Sequence, residues 1–149
     1  MRAVGPPLVV DASVALQWVA PESTSELAAG LRDGRLTAPD LLIPECANAL
    51  WKKVARGEFT AMEARRAALA LATAPVDLVA TPPLSERAVL IATELDHPAY
   101  DCFYLALAEA LGTVCVSADR SLVRVVATRA AARHSTLLVP LTEIHRLRQ

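Results

Sequence analysis

The sequence is short of cysteine, histidine, lysine and aromatic residues, and it has no long apolar run. Three cysteines occur, Cys46, Cys102 and Cys115, an odd number without a C-x-x-C pair. Each stands among apolar neighbours, so they read as small buried hydrophobes rather than a disulfide frame. The histidines, His97, His134 and His145, lack H-E-x-x-H spacing, which leaves no zinc signature. Hydrophobic residues make up 54% of the chain and mean hydropathy is +0.35. Even so, the apolar run 102–108 stops at Glu109, well short of the roughly 20 residues of a membrane span. The opening residues 1–7 carry one positive charge and no long apolar core, so no secretion signal is expected and a cytoplasmic location is. Net charge is -1, from 15 basic and 16 acidic residues. No global field therefore draws the chain to a polyanion, and any such contact has to be local.

What is present suits one domain over residues 1–149, long enough to bury its own core. No repeat, low-complexity tract or linker interrupts it. The apolar triplet Leu8-Val9-Val10 predicts a strand that ends at Asp11, followed by a helix over 13–19. A second helix is predicted over 23–32, from a Ser23/Glu26 capping box and a stop at Gly34. After a short strand near Ala38, a longer helix is expected from Pro44 to Arg56 and Gly57, with Glu45 in its first turn. The Thr60/Glu63 box opens the next helix, to Ala74. A strand over 76–80 and a helix over 82–95 follow, Thr81 capping and Pro82 at the first position. From Asp101 to Leu111 nearly every residue is apolar, which predicts a central buried helix. A strand at 114–116, a helix from Asp119 to Val126, a strand over 137–141 and a short terminal helix complete the chain. Strands alternating with helices imply an α/β fold with a parallel sheet between helical layers.

The chemistry rests on acids. Asp11 and Asp119 each follow an apolar strand and precede a helix, which in a parallel sheet places them at the carboxyl edge where such folds bind ligands. Glu45 and Asp101 lie in the first turns of their helices, and N-termini aimed at that edge turn them toward the first pair. Like charges so close raise one another's pKa, so protons or a cation must offset them. Mg²⁺ or Mn²⁺ is the natural choice, since both take oxygen ligands and keep several waters. Such an ion lowers the pKa of a water, polarises a phosphoryl group and, with a second ion, stabilises the leaving oxygen. That is the chemistry of phosphodiester hydrolysis. Singly, each acid reads more readily as a helix cap or a first-turn acid than as a catalytic group. Asp101 is hardest to explain in that way, because the helix it opens is otherwise apolar.

Four strings, Val9-Val10-Asp11-Ala12-Ser13, Pro44-Glu45-Cys46-Ala47-Asn48-Ala49-Leu50, Tyr100-Asp101-Cys102-Phe103-Tyr104-Leu105-Ala106-Leu107-Ala108 and Ser117-Ala118-Asp119, together resemble the PIN-domain nucleases. Within that family they resemble the toxins of bacterial VapBC toxin-antitoxin pairs. The resemblance covers nearly the whole chain, and all four family acids have a counterpart at about the family's spacing. It implies a three-layer α/β/α sandwich with a mainly parallel sheet and a Mg²⁺ or Mn²⁺ site of Asp11, Glu45, Asp101 and Asp119. It also implies endoribonuclease activity and inhibition by a small cognate antitoxin. The chain departs from the family at 129–135, which reads as a polar insertion, and at Ser117, where threonine is frequent and the hydroxyl is kept.

Around the acids, Ser13, Asn48 and Ser117 are candidates to hydrogen-bond ligands or waters, with local capping as the alternative. Arg120 with Arg124, and Lys52 with Arg56, are spaced i, i+4 and are candidates for RNA phosphates, or else solvated helix faces. Trp18, Trp51, Phe59 and Met62 lie where the family's toxins receive the antitoxin's peptide arm, or are core. The apolar excess suits an antitoxin or a second copy in a homodimer. A housekeeping PIN nuclease of RNA processing is the alternative within the fold. A receiver or phosphatase-like signalling domain is the alternative outside it. The phosphatase wants an aspartate where Ser13 stands, and the receiver wants a late lysine, whereas none follows Lys53.

Overall fold

Short runs of β-branched and other apolar residues form β1 (Leu8–Val10), β2 (Leu36–Pro39), β3 (Val76–Val79), β4 (Cys115–Ser117) and β5 (Leu138–Pro140). The computed structural model describes residues 5–148, so residues 1–4 of the opening stretch lie outside the described residues. The strands form one sheet in the order β3-β2-β1-β4-β5, and every pairing is parallel. Parallel neighbours need crossovers. These are supplied by α1 (Ala12–Ala15), α2 (Ser25–Leu31), α3 (Leu42–Ala55), α4 (Ala61–Ala72), α5 (Ser85–Leu95), α6 (Ala99–Leu111), α7 (Arg120–Arg129) and α8 (Ala132–Ser135). Tighter 3₁₀ turns occupy Leu16–Trp18, Pro82–Leu84 and Leu141–Arg148.

Alternation along the strands makes the three layers. Val9, Cys115 and Leu138 join the larger core with apolar residues of α3 to α7. One residue on, Val10 and Val116 join Ala28, Leu31, Leu141 and Ile144 on the other face. α6 packs on β1, β2 and α5, and buries Cys102, Tyr104, Leu105, Ala106, Leu107 and Ala108. Left-handed Gly112, at φ 65, ends it. Among the described residues no helix is long and apolar enough to cross a membrane.

The strand order matters for function. The chain winds from β1 outward through β2 to β3, then returns to lay β4 and β5 on the opposite side, so the winding reverses between β1 and β4. That is the crevice where open parallel sheets bind ligands. The order also differs from the 2-1-3-4-5 arrangement of receiver-type folds.

Several boundaries differ from the sequence expectation. The helix expected over 13–19 is one α-turn that tightens into 3₁₀ geometry. The Ser23 capping box does not form: α2 starts at Ser25, whose hydroxyl accepts the Glu22 N–H at 2.7 Å. α3 starts two residues before Pro44, because a proline in the first turn forfeits no intrahelical bond. The expected helix over 82–95 is split into a 3₁₀ turn and α5. The segment 129–135 is folded in through His134. Its Nδ1 lies 2.6 Å from Glu94 and its Nε2 2.9 Å from Glu109, which Arg87 also grips at 2.7 and 3.0 Å.

Candidate active site

Asp11, the first residue past β1, caps α1. Its Oδ1 accepts the Ser13 hydroxyl and, at 3.2 Å, the Val14 N–H, while Oδ2 accepts the Ser117 hydroxyl. Asp11 is only 4% exposed. Burial pushes its carboxyl up to about 6, against those hydrogen bonds and with help from the charge of Asp101. The two serines also reach the neighbouring strand end: Ser13 Oγ accepts the Ala118 N–H at 2.8 Å, and Ser117 Oγ accepts the Asp119 N–H at 3.1 Å. The ends of β1 and β4 are therefore tied through hydroxyls around one carboxylate.

Asp119 caps α7. Its Oδ1 accepts the Ser121 and Leu122 N–H groups at 2.9 and 3.2 Å, and Oδ2 has no partner among the described residues. Capping and a free oxygen thus coexist in one side chain. Asp101, in the first turn of α6, has Oδ2 2.7 Å from His97 Nε2. Glu45, in the first turn of α3, accepts the Tyr104 hydroxyl at 3.1 Å. Burial pushes Glu45 up to about 7, with Tyr104 opposing and the charges of Asp101 and Asp11 adding. The Tyr104 hydroxyl is itself pushed far up, first by burial and then by Glu45 and Asp11, and stays protonated as a donor.

All four carboxylates line one cleft of about 280 Å³, together with Ser13, Asn48 and Lys52. Asn48 makes no side-chain hydrogen bond among the described residues and faces the cleft one turn past Glu45. Arg120 and Arg124 line a second groove of about 420 Å³, whose Ser117 and Ala118 wall directly precedes Asp119 of the cleft. Arg56 lines neither; it caps α3, eleven residues and so about 16 Å along the axis from Glu45. Trp18 is half-buried, with its indole N–H donating to the Ala28 carbonyl at 2.8 Å. Phe59 is half-buried with the Lys53 ammonium 5.7 Å from its ring. Trp51 and Met62 are 62% and 52% exposed.

Two partners of the acids were not singled out by the sequence. His97 reads as half of a turn dipeptide, and it is this turn before α6 that brings its ring back to Asp101. Tyr104 lies three residues past Asp101 on the same face, but its bond to Glu45 spans 59 positions, and no local pattern announces it.

The donor set is all oxygen, with Asp11 buried and Glu45, Asp101 and Asp119 half-buried, which suits a hard divalent cation. Among the described residues no three His, Cys, Asp or Glu side chains are grouped tightly enough to hold an ion as they stand. A cation held by these residues would keep much of its water. The cysteines contribute nothing: all three are buried, and burial pushes the Cys46 thiol up to about 12.

Similarity to known proteins follows the same lines. The family model described as PIN domain matches residues 8–127, a span that contains all four acids. The crystal structure of PAE2754 from Pyrobaculum aerophilum superposes with a TM-score of 0.68 at 25% identity, covering 99% of this chain and 94% of that one. A toxin-antitoxin complex from Klebsiella pneumoniae superposes with a TM-score of 0.62 at 13% identity, over 92% of this chain and 99% of that one, which is a likeness of fold. No curated protein matches. With a match over most of its length and the sheet described above, the chain belongs to the PIN domain family, a family of nucleases.

Proposed function

We propose that this PIN nuclease is a Mg²⁺- or Mn²⁺-dependent endoribonuclease, the toxin of a VapBC-type pair, held inactive in the cytoplasm by a cognate antitoxin. The observation that carries the nuclease site is the convergence of Asp11, Glu45, Asp101 and Asp119 on one cleft at the reversal point of the sheet. Two of them are raised toward neutrality, and Lys52 is the one cationic side chain lining the cleft among the described residues. When bound, the cation lowers the pKa of the attacking water and polarises the phosphoryl group. The protein's share is orientation. Ser13 and Ser117 fix Asp11, His97 holds Asp101, and Tyr104 turns Glu45 so that its second oxygen is free to take a proton from the water. Lys52 at the rim attracts phosphate.

Water attack needs no 2'-hydroxyl, so the choice of RNA rests on the family resemblance. The toxin reading is supported by the fold shared with the Klebsiella pneumoniae toxin-antitoxin complex. Exposed Trp51 on α3 and Met62 on α4 offer an apolar face for the antitoxin, or for a second copy in a homodimer. Residues 1–149 act here as one domain.

The test is cleavage of total RNA with Mg²⁺, Mn²⁺ or excess chelator, with the products sequenced. Cleavage is expected with either ion and not with chelator. Asp101→Asn should lose at least the roughly 10- to 100-fold that even outer partners of a metal cost, and should relieve growth arrest in the host while melting normally. Full activity in chelator, or an active Asp101→Asn protein, overturns the metal-nuclease reading. Failure of the product of an adjacent small gene to co-purify and inhibit overturns the toxin reading.

A further inference from the structure

The groove beside the acid cleft is larger than the cleft itself, about 420 Å³ against 280 Å³. The two meet at the turn between β4 and α7. Ser117 and Ala118 line the groove, Asp119 lines the cleft, and Arg120 lines the groove again. Whatever occupies the groove is therefore next to whatever reacts in the cleft.

Three features of its lining point to one class of ligand. Arg120 and Arg124 stand one turn apart on α7 and line the groove, and neither has an ion pair or side-chain hydrogen bond among the described residues. Unpaired guanidiniums in a concavity suit phosphate. Val123 and Pro140, both partly exposed, supply apolar surface, which suits a flat ring rather than a free anion. Gln17 is 4% exposed and lines the groove. Its Oε1 accepts the Thr24 hydroxyl at 2.8 Å, which fixes the carboxamide, while its Nε2 has no partner among the described residues. No described buried side-chain nitrogen or oxygen is both sealed from solvent and unpartnered, so this amide opens onto the groove. A glutamine buried at the cost of its own solvation and left with a free donor is matched by an acceptor. Acidic Glu22 and Glu143 also line the groove, and Glu143 is paired with Arg146 at 2.7 Å. The lining is thus mixed, and the groove is no simple anion sink.

We propose that this groove binds the nucleotide flanking the scissile phosphodiester, with Arg120 and Arg124 on its phosphates and the Gln17 amide donating to an acceptor on the base edge. The inference rests on the nuclease reading above and assigns its sequence preference to Gln17. Glutamine reads base edges through its carboxamide, and one such contact corresponds to roughly tenfold discrimination.

The experiment is cleavage of a randomised RNA oligonucleotide library by the full chain, with the cut ends sequenced. Wild-type protein is expected to show about tenfold preference at one position adjoining the cut. Gln17→Leu should flatten that position alone. Thr24→Val, which releases the carboxamide without altering Gln17, should flatten it in the same way and serves if Gln17→Leu does not fold. Arg124→Gln, an exposed change, should keep the preference, raise KM several-fold and reduce the salt slope by about one. Wild-type preference retained in Gln17→Leu, or in Thr24→Val where Gln17→Leu is unfolded, overturns base reading by Gln17. So does a wild-type enzyme that cleaves with no preference beside the cut. An unchanged KM and salt slope in Arg124→Gln overturn the phosphate half. Absence of any RNA cleavage by wild-type protein overturns the nuclease reading and this inference with it, an outcome distinct from the others.

Discussion

Asp11 is held in the fold at a cost that depends on pH. Three hydrogen bonds favour its charged form, yet burial outweighs them and lifts the carboxyl from 3.8 to about 6. A raised folded pKa means that the native state holds the proton more tightly than the unfolded chain does. The group's stabilising contribution is therefore complete below 3.8 and lost as pH rises through about 6. About two pKa units correspond to ~3 kcal/mol. Asp11→Asn should stabilise the cation-free protein by up to about 3 kcal/mol at pH 8 and hardly at all near pH 4, while abolishing cleavage. Urea unfolding at both pH values measures this, and an equal gain at both assigns the effect to packing rather than charge. Glu45 has the same sign, over a window from 4.5 to about 7. The Tyr104 hydroxyl lowers its pKa, so Tyr104→Phe should push Glu45 higher still. The acid limb of the cleavage profile should move to higher pH, with activity largely recovered near pH 8.5. An unmoved limb removes Tyr104 from the site. These residues differ in how far they were legible. Asp11 and Asp119 announce themselves by standing directly after apolar strands, whereas the Glu45–Tyr104 bond follows only from how α3 and α6 pack.

At the level of elements, the turn between β4 and α7 couples two strand ends that are 106 positions apart. Ser117 is fully buried, and its one hydroxyl donates to Asp11 and accepts the Asp119 N–H. Ser117→Ala leaves that N–H without this acceptor and removes a donor from a buried carboxylate. The expected loss is about 1–3 kcal/mol at pH 8, with weaker cation binding. Ser117→Thr keeps the hydroxyl and should retain binding even where its extra methyl lowers stability. Chemical unfolding and cation titration of the pair separate hydroxyl from volume, and equal binding by both variants overturns this role. Element boundaries were legible where a local interaction has no competitor. The Thr60/Glu63 box forms as expected, with N–H to Oγ1 at 3.1 Å and the return bond at 3.4 Å. The similar Ser23/Glu26 pattern does not, because α2 begins past Ser23, at Ser25, whose hydroxyl turns back to the Glu22 N–H. The segment 129–135 reads as an insertion because its anchors, Glu94 and Glu109, lie on α5 and α6, and sequence spacing carries no trace of them.

For the whole molecule, the alternation of strands and helices was readable, and with it the parallel sheet, but the strand order was not. Nothing local tells β4 to pair with β1 rather than β3, and that pairing creates the crevice holding all four acids. It also gathers four carboxylates whose mutual repulsion a cation would relieve. Binding of the proposed cation should therefore be linked to folding. An ion that binds only the native chain stabilises it by RT ln(1 + [L]/Kd), about 2.7 kcal/mol at a hundredfold excess, or roughly 5–10 °C for a domain of this size. Protons compete for the same oxygens. With Asp11 near 6 and Glu45 near 7, the Mg²⁺- or Mn²⁺-induced rise in melting temperature should be full at pH 8, reduced at pH 6.5 and nearly gone at pH 5. Calcium, which favours more ligands and longer bonds, should stabilise without supporting cleavage. Asp101→Asn should lose most of the shift at pH 8 while melting normally without cation. A rise that is independent of pH, or one that persists undiminished in Asp101→Asn, places the ion elsewhere on the protein and removes the four-carboxylate cleft as its site.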